Sequence, residues 1–222
     1  MSQSPTPQLT PPPAPRPHTK LDLAQANSDA AAAQIAYFRS IPWCAALLAS
    51  SPDFHIDQSL SRVVHPAHDP NHALISRTLN TSDAISAYVA FYAPPAAAAP
   101  GALVREVHAL AALGPGVNSW AGMCHGGIVT TLVDEAVARV VDVNQRLGGL
   151  RQGALIATGQ LDMRFLKPVR TGSVEEPGVV LVTGRLAKVD GRRCWVEGEV
   201  RGPDGEVLVK AQAVLFTLRA GL

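Results

Sequence analysis

Residues 126–146, GGIVTTLVDEAVARVVDVNQR, are apolar nearly all round and are followed by four strand-like runs. From Ile128 onward, Leu132, Val133, Ala136, Val137, Val140 and Val141 recur at helical spacing and make a broad apolar face, and Gly148 and Gly149 supply the stop. The runs LIATGQLDMRFLKPV, VVLVTGRLAKV, RRCWVEGEV and EVLVKAQAVLFTL alternate as strands, and the pairs Asp190-Gly191 and Asp204-Gly205 are tight-turn signals joining the last three. The four read as an antiparallel meander. One helix with so wide an apolar face, beside a run of antiparallel strands, buries its sides if the sheet curls around it. The expected class is therefore α+β, with five or six strands wrapped around one long helix.

The upstream sequence adds less regular pieces. Residues 1–18 are proline-rich, and proline removes backbone donors and favours extended conformations that build no core, so this tail is expected to be disordered. Its PxxP run at 12–15 is the kind common in solvated tails. Residues 19–81 read as a helical extension and loop: an alanine-rich helix over 21–39 ending near Pro42, a second short helix in IPWCAALLASSP, and then an irregular stretch. These helices are expected across an end of the sheet or over a substrate tunnel. The irregular stretch holds His65, His68 and His72 among prolines, without a regular helix to aim them or a metal-binding context, and reads as a surface loop. Residues 82–222 form the main domain, beginning with a strand at Ile85, Ala87, Val89 and Phe91, a second strand in ALVREVHAL, and a turn-rich GPGVNSWAG.

Several function classes are set aside by composition. Nineteen Lys and Arg against eighteen Asp and Glu in 222 residues leave no basic field for nucleic acid. The apolar run FYAPPAAAAPGALV is too short and too proline-broken to span a bilayer, and no secretory signal opens the chain. Cys44, Cys124 and Cys194 are odd in number and widely spaced, which suits a reducing compartment, so a cytoplasmic protein is expected.

The chemical question lies in the helix itself, which carries Asp134 and Glu135 near its middle. A buried, unpaired carboxylate is costly. For Glu135 the simplest partner is Arg139, one turn on, as a surface pair. Asp134 has a structural reading as well, capping a loop or pairing with Arg164. Yet the preceding His125-Gly126-Gly127 lets backbone approach a ligand and presents amide donors at a helix N-terminus, where an oxyanion is stabilised. Amide donors plus a carboxylate are equipment for acyl transfer.

At these residues the chain resembles a known family. NSWAGMCHGGIVTTLVDEAVA together with ATGQLDMRFLKPV is similar to the hotdog-fold acyl-CoA thioesterases of the PaaI-like type, in the branch of thioesterase superfamily member 4, over about residues 82–219. The extension is more loosely similar to those of fungal members. The resemblance implies hydrolysis of an acyl-CoA thioester without metal or organic cofactor. It implies that Gly126 N–H polarises the thioester carbonyl, that His125 holds the loop and the carbonyl region, that Gly127 permits close packing, and that Asp134 is general base or nucleophile. Thr158 takes the position of a hydroxyl that orients the attacking water. Many relatives carry Asn six residues before the HGG histidine; here Ser119 stands there and Asn118 one step earlier, so a one-residue loop shift is needed to bring Asn118 into place. Arg164, Lys167 and Arg170 are candidates for coenzyme A phosphates, or else a charged strand edge. Two other readings stay open: a polyketide-type or carrier-bound thioester of secondary metabolism, or a non-catalytic acyl-binding protein.

Helix geometry adds an assembly requirement. Gly126 and Asp134, eight residues apart, lie about 12 Å from each other along one helix, too far to serve one thioester. Relatives resolve this as two-fold dimers with interfacial sites, which implies a homodimer or a dimer of dimers here.

Overall fold

The computed structural model describes residues 20–57, 59–66, 69, 71–95 and 101–218. The proline-rich tail expected to be disordered lies outside these residues, as does His68. Helix α3, Gly126–Arg146, runs along one side of a seven-stranded antiparallel sheet of order β1-β2-β3-β7-β8-β9-β6, where β1 is His55–Asp57, β2 Ile85–Tyr92, β3 Glu106–Leu113, β6 Leu155–Phe165, β7 Gly178–Asp190, β8 Arg193–Arg201 and β9 Val207–Leu218. A separate hairpin of β4, Asn118–Trp120, and β5, Met123–Cys124, precedes α3. Six of the seven sheet strands are long, and the three-residue β1 comes from the extension.

The sheet bends around α3 because its centre is small. Gly184 on β7 pairs with Gly198 on β8, which pairs with Ala211 on β9. A Cβ at Gly184 would stand 2.6 Å from the Ala136 carbonyl oxygen, and one at Gly198 would stand 2.8 Å from Val133 Cγ1. The helix backbone sits in this trough, and Val133, Ala136, Val137 and Val140 are buried against it. The meander expectation needs one correction. β7, β8 and β9 are consecutive neighbours through their Asp-Gly turns, but β6 pairs with β9 at the far edge instead of with β7. Periodicity identifies a strand without naming its neighbour.

Helices α1, Lys20–Ser40, and α2, Pro42–Leu48, pack on the sheet face opposite α3. This differs from the expected position across an end or over a tunnel. The reason is that β2 and β3 are apolar on both faces. Ala87, Val89, Phe91, Leu110 and Ala112 turn away from α3 and are buried against Phe38, Cys44 and Leu48.

The stretch between β1 and β2 forms a strap beside α3. Arg139 donates to both carboxylate oxygens of Asp57, at 2.8 and 2.9 Å, and to Asp142 at 2.7 Å. Glu135 is thereby denied the surface pair expected with Arg139. Its carboxyl is buried beneath the strap, accepts a hydrogen bond from Ser61, and is pushed above the usual carboxylate range chiefly by that burial. His72, with φ of 54°, lies near enough to oppose that shift, and its ring stacks on His65 with centroids 6.0 Å apart. Asn27 on α1 clamps the strap by bonding both the N–H and the carbonyl of Val64. Arg139→Ala leaves Asp57 and Asp142 with the more exposed Arg146, 3.9 and 3.3 Å away, and is expected to cost about 2 kcal/mol, seen as a fall of about 6 °C in Tm by calorimetry.

Candidate active site

The N-terminus of α3 is set by His125. Its backbone is extended, its N–H donates to the Val117 carbonyl at 2.8 Å, and its Nδ1 accepts from Gly127 N–H at 3.0 Å. That bond occupies the Gly127 amide. Gly126 N–H, the first amide of the helix, has no partner among the described residues and is exposed. A Cβ at Gly127 would approach Nδ1 to 3.1 Å, so glycine here keeps the imidazole cap in place. Above Gly126 stands the ring of Phe165, half exposed at the end of β6.

Two turns further along α3, Asp134 accepts a hydrogen bond from Thr158 Oγ1 at 2.7 Å. Thr158 reaches it because β6 is bulged. Thr158 pairs with Leu215 and Gln160 with Val214, which leaves Gly159 as the extra residue. The ring of Phe216 lies over Gly159 where a Cβ would stand, so any other residue here has to push that ring aside. The bulge keeps Thr158, Leu161 and Met163 all on the α3 side and turns Arg164 to the other. Asp134 therefore meets Thr158 and not Arg164.

The loop residues take distinct places. β4 and β5 pair Asn118 with Cys124 and Trp120 with Met123, so Ser119 is itself the extra residue of a bulge. The Asn118 amide oxygen accepts a hydrogen bond from the Thr171 hydroxyl, and Ser119 Oγ donates to the Met123 carbonyl at 3.4 Å. Lys167 is ion-paired with Glu206. Arg164 sits on the outer sheet face beside Lys210, lining an open cavity with Glu197, Glu199 and Gln212. Arg170 bridges to Met123 and so stands next to the hairpin. Gly159 and Trp120 went unassigned by sequence reasoning. An isolated glycine within a strand pattern was the available sign of the first bulge, and nothing in the pattern marked the second.

One chain thus presents two separated features, a free amide donor at Gly126 and a carboxylate–hydroxyl pair at Asp134 and Thr158. Strand β6, beside the second, is a sheet edge of eleven residues whose outer side has no partner strand among the described residues, and Leu155 and Phe165 at its ends are exposed.

Residues 121–209 match the family model of the thioesterase superfamily. Verlamelin biosynthesis protein B of a Lecanicillium species is 28% identical over 166 residues, covering 63% of this chain and 70% of that protein. Acyl-coenzyme A thioesterase THEM4 of Bos taurus is 28% identical over 103 residues, 46% of this chain, and the match spans only 37% of the bovine protein's length. A Bacillus halodurans protein solved with CoA is 27% identical, with 53% of this chain and 70% of that chain covered and a TM-score of 0.44. The family match takes in α3 from its first residue and the whole of β6, β7 and β8, so the similarity to the thioesterase superfamily lies in the helix and the strands packed on it, and one long helix against a curved antiparallel sheet is the hotdog architecture.

Proposed function

We propose that this chain hydrolyses acyl-CoA thioesters to a free acid and coenzyme A, in the cytoplasm, as a dimer whose sites span the interface. The observation that carries the reading is the 2.7 Å bond from Thr158 Oγ1 to Asp134 Oδ1, which sets a hydroxyl beside a carboxylate on the open side of α3. In the general-base route, Asp134 takes a proton from water as the water oxygen adds to the thioester carbon. The Thr158 hydroxyl orients that water. The carbonyl oxygen gains negative charge and accepts the N–H of Gly126 of the partner subunit, reinforced by the positive end of α3. The C–S bond then breaks, and the proton held by Asp134 passes to the departing thiolate. In the alternative route Asp134 attacks the carbonyl carbon itself, the C–S bond breaks to release the coenzyme A thiolate, and water hydrolyses the resulting mixed anhydride to the free acid and the regenerated carboxylate.

Two-fold pairing along the free edge of β6 brings the α3 helices together antiparallel, so that each Asp134 faces the other subunit's helix start. Edge pairing of this kind satisfies the unpaired backbone groups of β6 and covers Leu155 and Phe165.

The direct test is a hydrolysis assay over acyl-CoA chain lengths with wild type and Asp134→Asn. Asparagine keeps the shape and still accepts the Thr158 hydrogen bond but takes no proton, so kcat is expected to fall about 10²–10⁴-fold with Tm unchanged. Wild-type turnover in the variant refutes the assignment. A second reading, hydrolysis of a carrier-bound thioester, is supported by the similarity to verlamelin biosynthesis protein B. Offering the same acyl group on coenzyme A and on a carrier protein separates the two, and binding without turnover of either favours a non-catalytic acyl-binding protein.

A further inference from the structure

Trp120 is 77% exposed, the most exposed of the large apolar side chains among the described residues, and it sits six residues before the Gly126 amide. Its direction is set by the bulge at Ser119. Cys124 and Met123 are successive on β5 and so point to opposite faces, which sends their partners Asn118 and Trp120 to opposite faces as well. Asn118 and Cys124 turn inward, where Cys124 is buried and Asn118 meets Thr171. Trp120 and Met123 turn outward.

The outward row has a third member. Met123 pairs on its other side with Arg170 in an antiparallel bridge, fastened by Cys124 N–H to the Val169 carbonyl at 2.9 Å and Thr171 N–H to the Gly122 carbonyl at 3.3 Å. Directly opposed residues on antiparallel strands carry their side chains to one face about 5 Å apart. The row therefore reads indole, thioether, guanidinium, with the ends about 10 Å apart by that spacing. Arg170 is exposed and has no carboxylate partner among the described residues, whereas Lys167 is held by Glu206.

We propose that this row is the seat for the adenine nucleotide end of coenzyme A, with the base stacked on Trp120 and a phosphate held by Arg170. The proposal rests on the acyl-CoA reading above and specifies which part of the substrate the hairpin recognises. A flat aromatic platform flanked by a guanidinium matches a purine bearing phosphates, since stacking tolerates any base face and a guanidinium forms paired hydrogen bonds with phosphate oxygens. Met123 supplies an adaptable apolar floor between them. Met123 stands three residues before Gly126, at most about 11 Å along the chain, so the flexible pantetheine arm bridges from this seat to an oxyanion donor. A substrate loaded on a carrier protein has the arm but no adenine, which makes the row a device that favours coenzyme A over a carrier.

The test uses the full chain and one acyl group on two thiols, coenzyme A and pantetheine. The quantity read is the ratio of kcat/KM for acyl-CoA to that for acyl-pantetheine. Trp120→Ala is expected to lower this ratio about tenfold through KM for acyl-CoA, within the range that base–aromatic stacking supplies, and Arg170→Ala to lower it comparably. Trp120→Phe, which keeps a ring, retains most of it. A ratio unmoved in Trp120→Ala overturns the proposal, including the case in which both substrates decline together because Trp120 only supports the interface. If wild type turns over neither thioester, the acyl-CoA reading has failed, and adenosine 3′,5′-bisphosphate decides the seat separately. Saturable quenching of tryptophan fluorescence that disappears in Trp120→Phe, with Trp43 and Trp195 still present, supports it. No saturable quenching in wild type overturns it.

Discussion

Gly126→Pro and Asp134→Asn proteins, each nearly inactive alone, are expected to recover about a quarter of wild-type activity when unfolded together and refolded as mixed dimers. Proline is the substitution of choice at Gly126 because it deletes the amide donor and little else. Position 126 is the first residue of α3, where the amide makes no bond within the helix, and His125 already has φ of −63° and ψ of 133°, the conformation preferred before proline. The space beside Gly126 is open, with Phe165 Cζ 3.7 Å from an added Cβ. Loss of one oxyanion donor lowers kcat about 10²–10³-fold. Random association makes half of the dimers mixed, and in each of these one site collects both defects while the other receives both wild-type residues, hence the quarter. Native mass spectrometry counts the mixed dimers, and an assay of the same sample reads their activity. Mixed dimers without recovery mean that the amide and the carboxylate of one chain serve one thioester, against the distance along α3.

Removal of residues 21–50 is expected to abolish accumulation of soluble, folded protein. Phe38 and Cys44 are fully buried against Ala87, Val89, Phe91, Leu110 and Ala112, and the Gln34 carboxamide oxygen accepts the Tyr88 N–H at 2.8 Å. Truncating a buried phenylalanine alone costs about 3–5 kcal/mol, and total stabilities are about 5–15 kcal/mol. Deleting both helices uncovers a whole sheet face and exceeds that margin. Soluble yield and near-ultraviolet circular dichroism read the result. A soluble truncation with native dichroism and full hydrolysis shows that the outer face tolerates water. Because α1 and α2 lie across the sheet from α3, the milder Phe38→Ala lowers Tm without altering chain-length preference.

Helix α3 was legible in the sequence over its full length, because a long 3.6-residue apolar period bounded by glycines has few alternatives. The strands were legible for a similar reason, and Asp190-Gly191 and Asp204-Gly205 correctly tied the last three. The placement of β6 beside β9 was not, since pairing between distant strands leaves no local trace. Glu135 shows the same limit at the level of one side chain. Its spacing from Arg139 suits a surface pair, but Arg139 is taken by Asp57, about eighty residues earlier, and only the folded strap puts Ser61 on the carboxylate. At the site, the meeting of Asp134 and Thr158 was implied by resemblance to a family; the bulge at Gly159 that makes it possible is written as one glycine in a strand and is explained by Phe216 on the neighbouring one.

The strand order also dictates a timetable. β6 is made before β7, β8 and β9, yet among the described residues it pairs with β9 alone, and two strands, about 14 Å of sheet including the flanking gaps, separate it from the strand that follows it in sequence. A nascent chain that has emitted α3 and β6 holds Asp134 and Thr158 with nothing to fasten one to the other. The hairpins of β7, β8 and β9 are local and close early, whereas β6 docks only after Val207–Leu218 has left the ribosome. The carboxylate–hydroxyl pair is therefore assembled at the end of synthesis, and the β6 edge proposed to join two subunits becomes available at the same moment.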